Sequence, residues 1–305
     1  MHGLGADRLP TCAAARRDTM RKNGFITFIL LLVLLLGLSL LLYPTFSDYW
    51  NSMHQTKAIA TYAESVAELD VDKYEHIWND AKAYNQRILQ RENAYILSEE
   101  EMEDYHSQLN LTGDGIMGYI EIPGIQVSLP LHHTMEESIL QVAIGHIEWT
   151  SLPTGGEGTH TVFSGHRGLP SARLFSDLDQ MNPGDLFMLR ILDELMTYEV
   201  DQILVVEPHE IEPLLIEEGK DLCTLVTCTP YGVNSHRLLV RGHRVPNPEE
   251  AVTMRVTADA YQIEPLVVAP VLSVPILLMA LWIVGVADRI NRRRNRNGKQ
   301  VDTDE

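Results

Sequence analysis

The stretch Thr224–Arg244, with the sequence TLVTCTPYGVNSHRLLVRGHR, predicts two β-strands joined by a polar turn. Side chains in the first strand alternate between two faces. One face carries Leu222, Thr224, Val226 and Cys228, and the other carries Cys223, Leu225 and Thr227. Pro230 and Gly232 end this strand, and Leu238–Val240 resumes an apolar strand. The fold is therefore expected to be mainly β around this hairpin.

The two ends of this hairpin carry reactive side chains. Cys228 closes the first strand and Arg237 opens the second, with eight residues between them. Both can therefore face one point at the strand ends. A thiolate is a strong nucleophile, and a guanidinium stays charged at any physiological pH. Together they suit acyl transfer, in which sulfur attacks a carbonyl and the cation stabilises the oxyanion.

The hairpin resembles the active-site signature of sortases, the membrane-anchored cysteine transpeptidases of Gram-positive bacteria. The longer run from Cys228 to Gly242 is similar to the pilin-polymerising class C branch. The block Phe163–Pro170, FSGHRGLP, resembles the one that supplies the histidine of the family. The resemblance implies that Cys228 is the nucleophile, His166 the proton donor and acceptor, and Arg237 the oxyanion partner. His236 is a second candidate base, but the motif assigns the role to His166.

The reaction implied by the resemblance is a transpeptidation between secreted pilin subunits. Cys228 attacks the Thr–Gly carbonyl of an LPXTG-like sorting signal, and the C-terminal piece leaves. A lysine of the next pilin then resolves the thioacyl enzyme and forms an isopeptide bond. No cofactor is expected.

The composition excludes some classes of function. The chain has 305 residues, and its 24 basic against 42 acidic residues give a net charge of −18, which argues against a nucleic-acid partner. The histidine pattern does not indicate a metal site either. Four histidines of the central region, His132, His133, His146 and His160, show no metal-ligand spacing with carboxylates or cysteines, so no metal site is expected.

The three cysteines do not form a disulfide framework. Cys223 and Cys228 lie an odd number of residues apart on one strand, so they point to opposite faces. We expect Cys223 to be a core residue and Cys228 to be the reactive thiol. Cys12 is predicted to be an incidental cytoplasmic thiol.

Two apolar runs predict a protein that crosses the membrane twice. Residues 25–43 are uncharged and long enough to span a bilayer. Residues 265–287 form a second apolar run, which is followed by a cluster of arginines. Basic residues ahead of the first run and after the second predict that both termini are cytoplasmic and that the catalytic domain is extracellular. Translation is expected to begin at Met20.

The predicted domain organisation has seven parts. They are a cytoplasmic tail (1–24), a transmembrane anchor (25–43), an extracellular helical segment with room for a lid (44–113), a β-barrel catalytic domain (114–246), a linker (247–264), a second transmembrane helix (265–287) and a basic cytoplasmic tail (288–305).

The helical segment is expected to contain two amphipathic helices that break near Asp70 and Asp72. They could form a stalk, a packing layer or a gate. Class C members usually carry a lid with an Asp-Pro-aromatic motif in this segment. No Asp-Pro pair occurs between Asn93 and Asn110, so the resemblance does not imply a lid. Tyr95 and Tyr105 are the candidates for a plug.

The catalytic domain is predicted to be a closed antiparallel barrel, and the resemblance implies eight strands. The predicted strands are 117–125, 127–131, 138–147, 159–164, 185–189, 196–200, 203–206, 221–228 and a last one from 238. The whole fold is thus an eight-stranded sortase-type barrel with N-terminal amphipathic helices and two flanking transmembrane helices.

Three other functions stay open at this point. One is a housekeeping sortase that attaches proteins to a peptidoglycan precursor. Another is a cysteine protease that hydrolyses its acyl intermediate. The third is a non-enzymatic pilus-base or adhesion module with a vestigial site. A Cys228→Ala variant separates the enzymes from the structural module.

Overall fold

A computed structural model describes residues 12–90 and 95–248, together with the isolated positions 278 and 285. Side chains are described from residue 29 onward. The chain divides into two compact units, Met1–Pro44 and Thr45–Glu305. The predictions of a second span at 265–287 and of a basic tail at 288–305 lie outside the continuously described residues.

Helix α1 extends over Cys12–Ala67. Its part from Ile29 is long and apolar enough to cross a membrane, with a mean hydropathy of 2.5 in the most apolar window and none of that window buried. This N-terminal helix could therefore anchor the protein in a membrane. The helix begins inside the segment predicted as a tail and continues past residue 43, with Pro44 within it. Alanine and arginine are good helix formers, which explains the early start at Cys12.

Two further helices follow, and each begins at a polar cap. Helix α2 covers Val71–Ile88, and its N-cap Asp70 accepts a hydrogen bond from the Lys73 amide at 2.7 Å. Helix α3 covers Glu99–Ser107 and starts with a reciprocal capping box. The described part of segment 44–113 thus contains three helical stretches rather than the two predicted.

Buried polar contacts fix these helices to the barrel. The Tyr62 hydroxyl on α1 donates to the Met117 carbonyl at 2.6 Å and accepts from the Leu192 amide at 2.8 Å. Asn85 on α2 bonds both main-chain groups of Leu152, at 2.9 and 2.8 Å. These residues are buried, so the helices form a packing layer on the barrel.

Eight strands form a closed barrel in the order β1-β2-β3-β4-β7-β8-β6-β5. The strands are β1 Ile116–Ile122, β2 Val127–His132, β3 Ile144–His146, β4 Thr159–Ser164, β5 Leu186–Ile191, β6 Glu194–Val206, β7 Asp221–Thr229 and β8 His236–Val245. The mainly β, eight-stranded fold is confirmed.

Two details of the predicted barrel are wrong. The pairs β2–β3 and β4–β7 are parallel. Parallel strands need a crossover connection: residues 133–143 join β2 to β3, and the segment that contains the β5–β6 hairpin joins β4 to β7. The predicted strand 138–147 is instead a short helix α4, Glu137–Leu140, followed by β3. An apolar run this short does not distinguish a helix from a strand.

The two faces of β7 border different apolar clusters. Cys223 and Leu225 lie in the main core. Val226, on the other face, belongs to a second buried cluster. We call this cluster the outer patch; it consists of Val162, Leu214, Val226 and Leu239, with the partly buried Ile147, Trp149, Leu204 and Val206 around it. Because side chains alternate along a strand, Cys228 projects on the face of the outer patch.

Candidate active site

Cys228 and Arg237 are direct cross-strand partners in the β7–β8 ladder. Directly opposite residues of an antiparallel pair have Cβ atoms about 4.5–5.5 Å apart. Cys228 is a free thiol of intermediate exposure. The register therefore places the side chains of Cys228 and Arg237 on one face of the sheet, at one end of the barrel.

His166 lies just beyond β4, whose last residue Ser164 pairs with Val226. The neighbouring Gly165 is fixed on both sides: its amide donates to the Val226 carbonyl at 3.0 Å, and its carbonyl accepts from the Thr227 hydroxyl at 2.8 Å. His166 therefore follows the ladder at the level of Cys228. Its side chain is 29% exposed.

The Arg237 guanidinium is held by main-chain carbonyls. Its Nη1 donates to the carbonyl of Asn234 at 3.2 Å and to that of His236 at 3.1 Å. In the described part of the chain this guanidinium forms no ion pair, so its charge is not neutralised by a carboxylate. A fixed cation of this kind is suited to an anion that develops beside Cys228.

Arg167 connects the two halves of the site but carries a paired charge. Its guanidinium forms an ion pair with Asp179 and donates to the Thr229 hydroxyl at 3.3 Å. It also lies 6.0 Å from the centre of the Tyr231 ring. Arg167 thus supports the turn after Cys228 from the His166 loop.

A second arginine of β8, Arg241, is also paired with carboxylates. Arg241 bonds Asp201 at 3.0 Å and Glu217 at 2.8 Å. These hydrogen-bonded carboxylates raise its pKa. Arg241 is therefore a structural cation.

Cys223 differs from Cys228 in its exposure to solvent. It is fully buried in the main core. Burial raises the pKa of the Cys223 thiol well above its ordinary value, because a thiolate there would lose its hydration. Cys223 is thus an inert core residue.

His160 joins the outer patch to the loop between β6 and β7. Its Nδ1 lies 2.8 Å from the Leu215 carbonyl, and its Nε2 lies 2.7 Å from the Thr224 hydroxyl. Burial lowers the pKa of His160. A neutral ring that donates from Nδ1 and accepts at Nε2 satisfies both contacts and fixes this loop over the patch.

The two candidate plug residues have different surroundings. Tyr105 is fully buried, and its hydroxyl lies 3.0 Å from His146 Nδ1, so it is a core residue. Tyr95 is 45% exposed. Its ring lies edge-on to Trp149, with the ring centres 5.3 Å apart, and Trp149 borders the outer patch. Of the two, Tyr95 contacts the region that continues from Cys228.

Glu137 was not predicted from the sequence. Its Oε2 lies 3.5 Å from His166 Nε2, and this nitrogen has no hydrogen bond among the described residues. Glu137 is the first residue of α4, directly before the run predicted as a strand. No local motif links a carboxylate at this position to a histidine 29 residues later.

A solvent-accessible thiol, a fixed cation and a nearby histidine on a closed β-barrel define a cysteine acyl transferase. A comparison with family models matches the sortase domain over residues 120–245. The crystal structure of sortase C1 from Streptococcus agalactiae is 52% identical and covers 63% of this chain and 100% of its own, with a TM-score of 0.62. Sortase C from Streptococcus pneumoniae is 44% identical and covers 63% of this chain and 97% of its own, with a TM-score of 0.55.

Among curated proteins, sortase A from Bacillus anthracis is 25% identical over 226 residues, which are 74% of this chain and 97% of that protein. The chain belongs to the sortase family, with class C sortases as its structural neighbours. It is accordingly a cysteine transpeptidase.

Proposed function

We propose that this transpeptidase polymerises pilins. It cleaves an LPXTG-like sorting signal between threonine and glycine, holds the acyl group on Cys228 and transfers it to a pilin lysine. The observation that carries the proposal is the pairing of Cys228 with Arg237 beside His166, on the outer face of the barrel.

The first half of the reaction forms a thioester. The Cys228 thiolate attacks the threonine carbonyl, and Arg237 stabilises the oxyanion of the tetrahedral intermediate. The C–N bond then breaks, and His166 gives its proton to the departing glycine amine. The threonine carbonyl carbon remains bonded to the Cys228 sulfur.

The second half reverses these steps, with a different amine as the nucleophile. The lysine ε-amine attacks the thioester, and His166 accepts a proton from it. The C–S bond breaks and regenerates the Cys228 thiolate. The product is an isopeptide bond between two subunits, and neither step needs a cofactor.

The outer patch supports a peptide substrate whose residues before the cleaved bond include apolar side chains. Cys228 shares its strand face with Val226, so a peptide whose carbonyl reaches the thiol extends along apolar side chains. The four central residues of the patch are already buried, so the leucine and proline of an LPXTG-like signal would cover its partly buried rim, which consists of Ile147, Trp149, Leu204 and Val206. Sortase C from Streptococcus pneumoniae is a relative whose crystal structure gives insight into pilin substrate specificity, and this similarity supports a pilin as the substrate of the present chain.

A membrane-bound arrangement completes the proposal. We expect two spans, cytoplasmic termini and an extracellular barrel. A pilin retained by its own C-terminal segment would then share the membrane surface with the enzyme, which raises its effective concentration. In intact cells, a membrane-impermeant thiol reagent should label Cys228; protection until the cells are lysed would contradict this topology.

Housekeeping attachment to a peptidoglycan precursor is the second candidate function. It is favoured by the similarity to sortase A of Bacillus anthracis along 97% of that protein. The two functions differ only in the amine that resolves the thioester. The acceptor therefore decides between them.

A competition experiment tests the assignment. The purified full-length chain is incubated with an LPXTG-type peptide and equal concentrations of a lysine-bearing pilin fragment and a glycine peptide. We expect the isopeptide product to dominate, and a matched fragment with lysine replaced by arginine to give none. Products on the glycine peptide alone would establish the housekeeping function, and hydrolysis alone would establish a protease.

A further inference from the structure

Three polar side chains lie along one face of the extramembrane part of α1. They are Asp48, Asn51 and Gln55, spaced by three and four residues as on a single helix face. Asp48 Oδ1 accepts from the Arg173 amide at 2.8 Å, and Asn51 Nδ2 donates to the Ser171 carbonyl at 2.8 Å. Gln55 Nε2 donates to the Val142 carbonyl at 2.7 Å.

Each of these bonds ends on a segment that borders His166. Ser171 and Arg173 belong to the loop that begins at His166, and the Phe175 amide closes this loop on the His166 carbonyl at 3.2 Å. Val142 follows α4, which carries Glu137 opposite the His166 ring. One helix face therefore holds both the loop of the histidine and the element that carries its carboxylate neighbour.

We infer that the stretch Asp48–Gln55 of α1 is a positioning element of the active site. It holds the loop 166–175 and α4 in one arrangement, so that the His166 ring stays beside Glu137 and at the level of Cys228. The inference rests on the proposed role of His166 as the acid and base. A proton transfer needs its donor within hydrogen-bond reach, so a loop that shifts slows the chemical step.

Simple helix docking is the competing explanation, and α1 itself provides the control. Tyr62 fixes the same helix to Met117 and Leu192 by buried bonds, and neither partner belongs to the His166 loop or to α4. A Tyr62→Phe variant therefore weakens docking without releasing the His166 segments. Among the residues that the structure describes, Thr56 bonds only within the helix, to the Ser52 carbonyl, so Thr56→Ala is a neutral control.

The test uses the full-length protein in detergent and measures kcat and KM for acylation by an LPXTG-type peptide. We expect the double variant Asp48→Ala/Asn51→Ala to lose kcat about tenfold while KM changes less than twofold, because two hydrogen bonds of the loop are lost. The single variant Asp48→Asn should keep most of the wild-type rate, since its amide oxygen can still accept the hydrogen bond from the Arg173 amide. Tyr62→Phe should lower the melting temperature and keep kcat within twofold.

Amide hydrogen exchange gives a readout that does not depend on the reaction. Peptides covering residues 166–175 should exchange faster in the double variant and not in Tyr62→Phe. An unchanged kcat and unchanged exchange in the double variant would overturn the inference, as would losses that Tyr62→Phe reproduces. If the wild-type chain forms no thioester, the proposed function fails, and the exchange result alone then decides whether α1 holds the loop.

Discussion

Two cysteines five residues apart on β7 have opposite environments. The alternation of side chains along a strand makes them point to opposite faces, so one is buried in the barrel and the other borders solvent. This assignment needed only the sequence, since an odd spacing on one strand separates two side chains.

Replacement of each cysteine by alanine should separate chemistry from packing. Cys228→Ala is expected to abolish the thioester while the protein stays folded, because the side chain is partly exposed. Cys223→Ala should keep acylation and lose about 1 kcal/mol of stability through the small cavity. Intact mass and thermal unfolding of both variants check this. A peptide adduct on the Cys228→Ala variant would show that another residue is the nucleophile.

Arg237 should be needed for the rate rather than for folding. Removal of one oxyanion donor typically costs about 10²–10³ in rate, so Arg237→Ala is expected to lower kcat by that factor. Arg241→Ala removes the same charge from the same strand but breaks pairs with Asp201 and Glu217. That variant should lose stability and keep most of its kcat, and equal kinetic losses in both would contradict the assignment.

Glu137 illustrates what the sequence does not reveal at the residue scale. Its contact with His166 joins α4 to the loop after β4, and neither residue type nor spacing indicates it. A carboxylate as exposed as that of Glu137 contributes about 0.2–1 kcal/mol to such a contact, so Glu137→Ala should slow acylation by at most about fivefold. Glu136→Ala is the matched control on the neighbouring exposed carboxylate. If acylation were slower in the Glu136→Ala variant and unchanged in the Glu137→Ala variant, the contact between Glu137 and His166 would have no part in the reaction.

At the scale of elements, the hairpin β7–β8 was predictable and the environment of β4 was not. Alternation, a proline–glycine turn and an apolar restart indicate a hairpin locally. The parallel pairing of β4 with β7 depends on where the β5–β6 hairpin lies, which is a tertiary outcome. The same applies to α4, whose four residues are too few to show a period.

The contact between Tyr95 and Trp149 predicts a cover over part of the outer patch. Tyr95→Ala should increase the initial rate of acylation, because the substrate no longer competes with the tyrosine ring. Tyr105→Phe is the contrasting variant, since it removes the bond to His146 and should lower stability without a faster rate. Peptide-dependent release of the C-terminal fragment measures both. An unchanged rate for Tyr95→Ala would show that this residue does not limit access.

At the scale of the whole molecule, one buried histidine links several elements. His146 is completely buried: its Nε2 lies 2.9 Å from the Ser151 carbonyl, and its Nδ1 contacts the Tyr105 hydroxyl. Burial lowers the pKa of His146 to about 3. The neutral ring thus links α3, β3 and the following turn.

Acid should destabilise the protein through this ring. The pKa of His146 is lower in the folded protein than its ordinary value of about 6.5, because the buried site accepts only the neutral ring. Above about pH 6.5 the ring is neutral in the unfolded chain as well, so folding carries no cost for removing its proton. Stability is then lost as the pH falls from about 6.5 towards 3. His146→Gln should be less stable at pH 8 but show a smaller decrease between pH 7 and 5. Thermal unfolding across this range measures it, and parallel pH curves for both proteins would contradict the role of His146.

The central claim is that Cys228 carries the acyl group of a sorting signal. Intact mass spectrometry of the full-length protein with an LPXTG-type peptide tests it most directly, with Tyr95→Ala alongside to remove the cover. The account predicts an adduct of the mass of the peptide up to threonine, located on Cys228 and discharged by a lysine-bearing pilin fragment. No adduct on either protein, or an adduct on a residue other than Cys228, would contradict the account.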